Sequence, residues 1–155
     1  MTSAVLPCSP AVLEELRALA ARGLPVSLTG LDALDPAQAS GLLEFFLHDP
    51  SVTAPIEPFA GLLVDLSRKR ETGLWDLFPR EGGDAFLEAL PRDHPDCMAC
   101  ACFPICQGYG AWAGSCETWR RILTGLAKAA RDLARLRAQA ELDRITRRGS
   151  HARKS

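Results

Sequence analysis

Apolar positions recur every three or four residues in two early segments of the chain, and both segments predict amphipathic helices. The first covers about residues 10–22, with Ser9 as its N-cap and Pro10 at its first helical position. The second starts at Asp35-Pro36 and is expected to stop before Pro50, because proline cannot continue a helix. The N-terminal part of the chain is therefore expected to be mainly helical.

A third apolar face predicts a helix that starts at Glu57-Pro58 and runs to the basic residues 68–70, with Gly73 as its cap. Basic side chains at that end are favoured by the helix dipole. Residues 73–96 are rich in glycine and proline, which predicts a connecting segment with one short helix at 84–90.

Two short apolar stretches, at 25–30 and 52–56, have the composition of extended segments. The alternation of these stretches with helices would fit a fragment of a parallel α/β sheet. Both stretches, however, contain or adjoin prolines, which are disfavoured at sheet centres. We therefore expect a mainly α fold, a small helical domain, with the α/β fragment as the alternative.

The C-terminal third has the most regular pattern of the chain. After Cys116, seven apolar residues alternate steps of three and four, which predicts a long helix over residues 117–146. They are Trp119, Ile122, Leu126, Ala129, Leu133, Leu136 and Ala140. Such a seam favours a helix packed on its own domain or in a helical hairpin, and two alanines in it make a dimeric coiled coil the weaker alternative.

These elements divide the chain into a helical body over 1–90, a cysteine-rich loop over 91–116, the long helix over 117–146 and a polar tail over 147–155 that is expected to be disordered.

The net charge of −1 hides an asymmetry. Residues 117–155 hold 11 Lys and Arg against 4 Asp and Glu, whereas residues 1–116 hold 7 against 15. The basic residues are interleaved with Leu and Ala round the helix, which argues against a nucleic-acid footprint. The pattern favours a solvated helix that leans on the acidic body or on an acidic partner.

The compartment is predicted from two absences in the sequence. Residues 1–25 lack the pattern of a signal peptide, and no run of eighteen apolar residues occurs. We therefore expect a cytoplasmic protein that does not associate with membranes, a setting in which disulfides are disfavoured. With 155 residues, 47% of them hydrophobic, the chain is also long enough to form a core without disulfides.

Five of the six cysteines lie within twenty residues, which indicates metal ligation in such a compartment. The spacing Cys97-x2-Cys100 is that of a chelating pair, and Cys106 and Cys116 can complete a four-thiolate set. Cys102 and His94 are candidates for an extra ligand, whereas Cys8 is isolated and is expected to be an incidental thiol.

Zinc and iron–sulfur cores both accept four cysteines. Zinc sites more often repeat the Cys-x2-Cys pair, so the separate Cys106 and Cys116 favour a cluster. Glycines at 108, 110 and 114 would let backbone N–H groups approach the sulfurs, and Phe103, Tyr109 and Trp112 would screen a cluster from water.

The cysteine segment resembles a known family in the order of its parts. These are Cys97-x2-Cys100-x5-Cys106, a glycine-rich stretch, and then Cys116 followed by Glu-Thr-Trp-Arg-Arg-Ile-Leu and a long helix. It is similar to the C-terminal end of the SPASM/twitch auxiliary-cluster domain of radical SAM enzymes that modify peptides. The resemblance covers about residues 90–136. It implies that these four cysteines hold a single 4Fe-4S auxiliary cluster.

The chain departs from the family pattern at several positions. Gly110 stands where the family has a further cysteine that serves a second cluster, Cys102 is extra, and the gap before Cys116 is short. The Cys-x3-Cys-x2-Cys motif of the radical SAM core is absent from the sequence, where Cys8 is the sole cysteine before Cys97. The resemblance therefore implies one auxiliary cluster without the catalytic core.

These observations together predict an iron–sulfur accessory protein that works with a partner enzyme, in maturation of a ribosomally made peptide. Its role would be electron relay or docking of the precursor peptide, with the catalytic group on the other chain. The alternative is a structural zinc-binding module for protein interaction or regulation.

Overall fold

The structure is a computed structural model that describes the backbone of residues 2–152 and the side chains of residues 2–149. It is mainly helical, as predicted, with a small parallel sheet at the N-terminal end. No helix in this part of the chain combines the length and the apolar character needed to cross a membrane.

Three short strands form the sheet: β1 (Ala4–Pro7), β2 (Val26–Thr29) and β3 (Ile56–Glu57), in the order β1-β2-β3. Val26 of the central strand pairs with Ala4 on one side and with Ile56 on the other, both in parallel register. The two strands of the α/β alternative are therefore present, β3 at the end of the predicted stretch, while β1 was not predicted.

Prolines lie at the strand ends, where their missing N–H is harmless. The carbonyl of Pro25, just before β2, accepts a hydrogen bond from the N–H of Ala4 at 2.9 Å, and the carbonyl of Pro55 accepts one from Val26 at 3.0 Å. Each of these prolines contributes a carbonyl acceptor to the sheet, so the strands pair despite the missing N–H groups.

Two helices connect the strands: α1 (Val12–Ala21) between β1 and β2, and α2 (Pro36–His48) between β2 and β3. A single 3₁₀ turn, Leu31–Ala33, precedes α2. Asp35 caps α2 as the sequence indicated: its side chain accepts a hydrogen bond from the Gln38 N–H at 2.8 Å, and the Gln38 side chain accepts one from the Asp35 N–H.

Helix α3 (Phe59–Ser67) ends earlier than predicted. The backbone of Lys69 enters the left-handed region with φ of 53°, so Lys69 and not Gly73 breaks the helix. Gly73 instead precedes the one-turn helix α4 (Leu74–Leu77), and α5 (Gly83–Asp93) is longer than the predicted 84–90 at both ends.

The segment predicted as a cysteine-rich loop contains three short helices: α6 (Pro95–Met98), α7 (Phe103–Cys106) and α8 (Tyr109–Ala113). The long helix α9 (Cys116–Ala152) follows. It continues through residues 147–152 of the tail that the sequence analysis expects to be disordered, and residues 153–155 of that tail lie outside the described part.

Helix α9 packs on the body with its first half only. This half contacts α2 and α3 and buries Trp119, Ile122 and Leu126, whereas Leu136 is 66% exposed. Gly125 permits the close approach to α2, because a Cβ atom at this position would collide with the Leu43 side chain. The predicted seam thus serves packing on the domain up to residue 130, and the second half of α9 projects from the body.

Candidate metal centre

The four cysteines predicted as ligands line one cavity of about 80 Å³. This exceeds the roughly 15 Å³ that one water molecule requires. The complete lining is Asp96, Cys97, Cys100, Phe103, Cys106, Gly108, Ala111, Cys116 and Arg120. These residues come from the short helices α6, α7 and α8, from the connections between them, and from the first turns of α9.

Local hydrogen bonds hold the turns that carry the cysteines. The N–H of Cys100 donates to the carbonyl of Cys97 at 3.1 Å, which closes the turn between the predicted chelating pair. The N–H of Cys106 donates to the carbonyl of Cys102 at 2.8 Å, and α7 ends where Gln107 adopts a left-handed conformation. Cys116 is the first residue of α9, where the helix dipole favours negative charge.

The two candidates for an extra ligand do not line this cavity. The Sγ of Cys102 faces the Thr124 Oγ1 at 3.8 Å, and the His94 ring packs on Phe86 with ring centroids 5.4 Å apart. Cys102 nevertheless lies beside the site: burial raises the pKa of its thiol, and a side-chain contact with Cys100 raises it further. Cys8 packs against the hydrophobic core, and its burial raises the pKa of the thiol to about 11.

The cysteines influence one another electrostatically. Burial raises the pKa of the Cys97 thiol, and the neighbouring Cys116 and Cys100 raise it further. Burial also raises the pKa of the Cys106 thiol. Hydrogen bonds from the backbone N–H groups of Gly110 and Gly108 lower this pKa and so partly offset the effect of burial. Ligation by these sulfurs therefore has to be coupled to proton release.

Gly110 fits closely between two of the cysteines. Its N–H donates to the Cys106 Sγ at 3.4 Å, which is the approach of glycine backbone to sulfur that the sequence predicted. A Cβ atom at this position would lie 3.0 Å from the Cys116 Cα and 3.6 Å from the Cys106 Sγ. Gly110, the position at which the family that the sequence resembles has a further cysteine, thus has little room for a side chain.

A carboxylate that the sequence analysis missed holds the cysteine segment to the body. Asp32, in the 3₁₀ turn before α2, accepts three side-chain hydrogen bonds. Their donors are the Tyr109 hydroxyl at 2.9 Å, the Ser115 hydroxyl at 2.9 Å and the Trp119 indole N–H at 2.7 Å. No local sequence signal marks Asp32, because its partners lie more than seventy-five residues away.

Aromatic rings form a wall beside the cysteine segment, where Tyr109 and Trp112 of α8 pack on Trp75. Trp75 contacts Tyr109 edge-on at 5.3 Å and Trp112 at 5.4 Å, and its indole N–H donates to the carbonyl of Gln107 at 3.0 Å. Of the three rings expected to screen a cluster, Phe103 lines the cavity itself, while Tyr109 and Trp112 belong to this wall.

The spacing of the cysteine sulfurs matters for whether they could bind a zinc ion or a 4Fe-4S cluster. Among the described residues, no three His, Cys, Asp or Glu side chains are grouped closely enough to hold a single metal ion. A tetrahedral zinc ion with Zn–S bonds near 2.3 Å requires sulfurs roughly 3.8 Å apart. A 4Fe-4S cluster binds each thiolate through a different iron and so accepts wider separations. Four thiolates around one cavity are donors that both a zinc ion and a 4Fe-4S cluster accept.

No protein-family model matches the chain, and no curated protein or solved structure matches it significantly.

Proposed function

We propose that this chain is an iron–sulfur accessory protein in which Cys97, Cys100, Cys106 and Cys116 hold one 4Fe-4S cluster. The observation that carries the proposal is the convergence of these four cysteines on one cavity, with Cys102 and His94 outside it. The N–H of Gly110 at the Cys106 sulfur adds support, because such contacts stabilise sulfur-ligated clusters.

The chain is proposed to act with a partner enzyme in the cytoplasm, in maturation of a ribosomally made peptide. This part rests on the resemblance to auxiliary-cluster domains and on the absence of the radical SAM cysteine motif from the sequence. The catalytic group would belong to the partner. The bound cluster would supply one-electron chemistry, for relay, or would shape the surface on which a precursor peptide docks.

The projecting half of α9 supports a docking role. Three large apolar side chains, Leu136, Leu142 and Ile145, are more than half exposed. Residues 134–149 also hold five arginines against two acidic residues. An apolar and basic helix of this kind suits an acidic partner or peptide.

Metal and sulfide analysis of anaerobically purified protein, with a visible spectrum, tests the proposal. We expect about four irons and four sulfides per chain and a broad visible absorption. Serine in place of Cys97, Cys100, Cys106 or Cys116 should each reduce bound iron at least tenfold, roughly the effect of losing a metal contact. Cys102→Ser and Cys8→Ser are the matched controls and should retain most of the iron.

Two outcomes would contradict the assignment. Stoichiometric zinc in colourless protein would favour the structural zinc-binding module. A chain in which Cys102 is essential for iron and Cys116 is dispensable would show that the ligand set, and with it the family resemblance, is wrong.

A further inference from the structure

A single cation faces the cysteine cavity among the residues that line it. Arg120 lies one helical turn after Cys116 on α9 and contributes to the cavity wall together with the four cysteines. The cysteines raise the pKa of the Arg120 guanidinium above its ordinary value, Cys116 first and Cys100 second, and a side-chain hydrogen bond to Cys100 acts in the same direction. The positive charge is therefore directed at two of the proposed ligands.

The next residue along α9, Arg121, provides a natural comparison. Both guanidinium groups pair with Glu117, Arg120 at 3.4 Å and Arg121 at 3.5 Å, and their side chains are 54% and 50% exposed. Arg121, however, turns toward α2, where it donates to the Ser40 hydroxyl at 3.4 Å, and it does not line the cavity. The two arginines thus match in charge, ion pair and exposure and differ in what they face.

We infer that Arg120 is a positioning residue of the cysteine site: its guanidinium offsets the negative charge of the thiolate-ligated group, and so favours both retention of that group and its reduction. The inference rests on the proposed function. Four thiolates bring negative charge into one cavity, and reduction adds one more electron there. A cation at the cavity wall stabilises the reduced state more than the oxidised state. A cation that faces α2 does so more weakly, because the interaction falls with distance from the cavity.

Full-length protein carrying Arg120→Gln, Arg121→Gln or Arg120→Lys, purified without oxygen, tests this role. In a dithionite titration the cluster core gains one electron, and no bond forms or breaks. We expect Arg120→Gln to lower the equilibrium constant for reduction about tenfold, which is about 59 mV for a one-electron couple. Arg121→Gln should shift it far less, and Arg120→Lys should recover most of the loss because it restores the charge.

The rate at which iron is released to a chelator is a second readout. If Arg120 had only a structural role, this rate would change only as far as the stability of the protein changes. Arg120→Gln should lose iron about tenfold faster than Arg121→Gln at equal unfolding free energies of the two metal-free proteins. Equal shifts in the two variants, or no shift in Arg120→Gln, would overturn the inference while the cluster itself stands. Wild-type protein without iron would instead overturn the proposed function, on which the inference depends.

Discussion

The backbone of Gly110 occupies space that a side chain would need. Its N–H reaches the Cys106 sulfur, and its Cα side faces the backbone of Cys116, where a Cβ atom would be 3.0 Å from the Cys116 Cα. Backbone atoms at the start of a long packed helix cannot move aside as the end of a flexible side chain can. Gly110 thereby allows the backbone of α8 to approach both Cys106 and Cys116 closely.

Replacing Gly110 by alanine should therefore destabilise the protein. We expect Gly110→Ala to lower the free energy of unfolding by about 1–2 kcal/mol, because the steric conflict outweighs the gain in helix propensity. Bound iron should fall as well, since the segment has to shift. Urea unfolding of the metal-free protein and iron analysis of the anaerobic protein measure the two effects.

Gly41→Ala is the control for this substitution. Gly41 lies inside α2, and a Cβ atom there would make an ordinary contact of 3.9 Å with the Leu13 side chain. The alanine should stabilise the protein by up to about 1 kcal/mol, the usual gain in a helix interior. If Gly110→Ala stabilised the protein to the same degree, the close approach of Gly110 to Cys116 would be refuted.

At the scale of elements, Asp32 joins the 3₁₀ turn before α2 to the end of the cysteine segment. Tyr109 belongs to α8, Ser115 immediately precedes α9, and Trp119 lies in the first turns of α9. All three donors are nearly fully buried, at 0%, 6% and 1% exposure. Asp32 is the acceptor for Ser115 and Trp119, whereas the Tyr109 hydroxyl also interacts with Arg80.

Removing that carboxylate should loosen the cysteine segment as a unit. We expect Asp32→Ala to lower the free energy of unfolding by about 2–4 kcal/mol, because it leaves buried donors without an acceptor. Asp32→Asn, which keeps one acceptor oxygen, should lie between wild type and Asp32→Ala. Urea unfolding gives the energies, and hydrogen exchange should be faster over residues 103–119 than in α2.

Asp84→Asn serves as the control, because Asp84 is an exposed carboxylate in the first turn of α5. It should change the free energy of unfolding by no more than about 0.5 kcal/mol. An Asp32→Ala protein as stable as this control would mean that the three hydrogen bonds contribute nothing to holding the segment.

The elements that were predicted from sequence are those with local signals. The start of α2 was predicted from Asp35-Pro36, and the position of α9 from its apolar period. Strand β1 was missed because Ala4–Pro7 is too short to show an alternating pattern, and it exists through pairing with β2. The end of α3 was misplaced because a left-handed Lys69 has no sequence signature comparable to glycine.

The candidate site likewise has features that could be predicted from the sequence and features that could not. The convergence of Cys97, Cys100, Cys106 and Cys116 followed from spacing, and the structure brings them to one cavity. The contribution of Arg120 to the cavity wall depends on how α9 is rotated relative to the cysteine turns. The acceptor role of Asp32 depends on contacts across the whole body. Neither can be obtained from a local pattern of residues.

At the scale of the whole molecule, α9 serves two purposes with its two halves. Up to Ala130 it supplies buried side chains to the core, and from 134 to 149 every residue is exposed. The exposed segment gains no stability from packing on the body, and side-chain pairs along it, such as Arg144 with Glu141, add a little. The projecting half, residues 135–152, extends about 27 Å from the body and is available for contacts with another molecule.

Shortening the chain within α9 tests this division. A chain that ends at Ala134 keeps every buried residue of the helix, so its free energy of unfolding should stay within about 1 kcal/mol of the full-length value. A chain that ends at Gly125 loses the buried Leu126 and Ala130 and should be destabilised by more than about 3 kcal/mol. Urea unfolding at two protein concentrations, with light scattering for molar mass, distinguishes the cases. Marked destabilisation of the chain ending at Ala134, together with concentration-dependent stability of the full-length protein, would contradict a free projecting helix and show that it packs against a second copy.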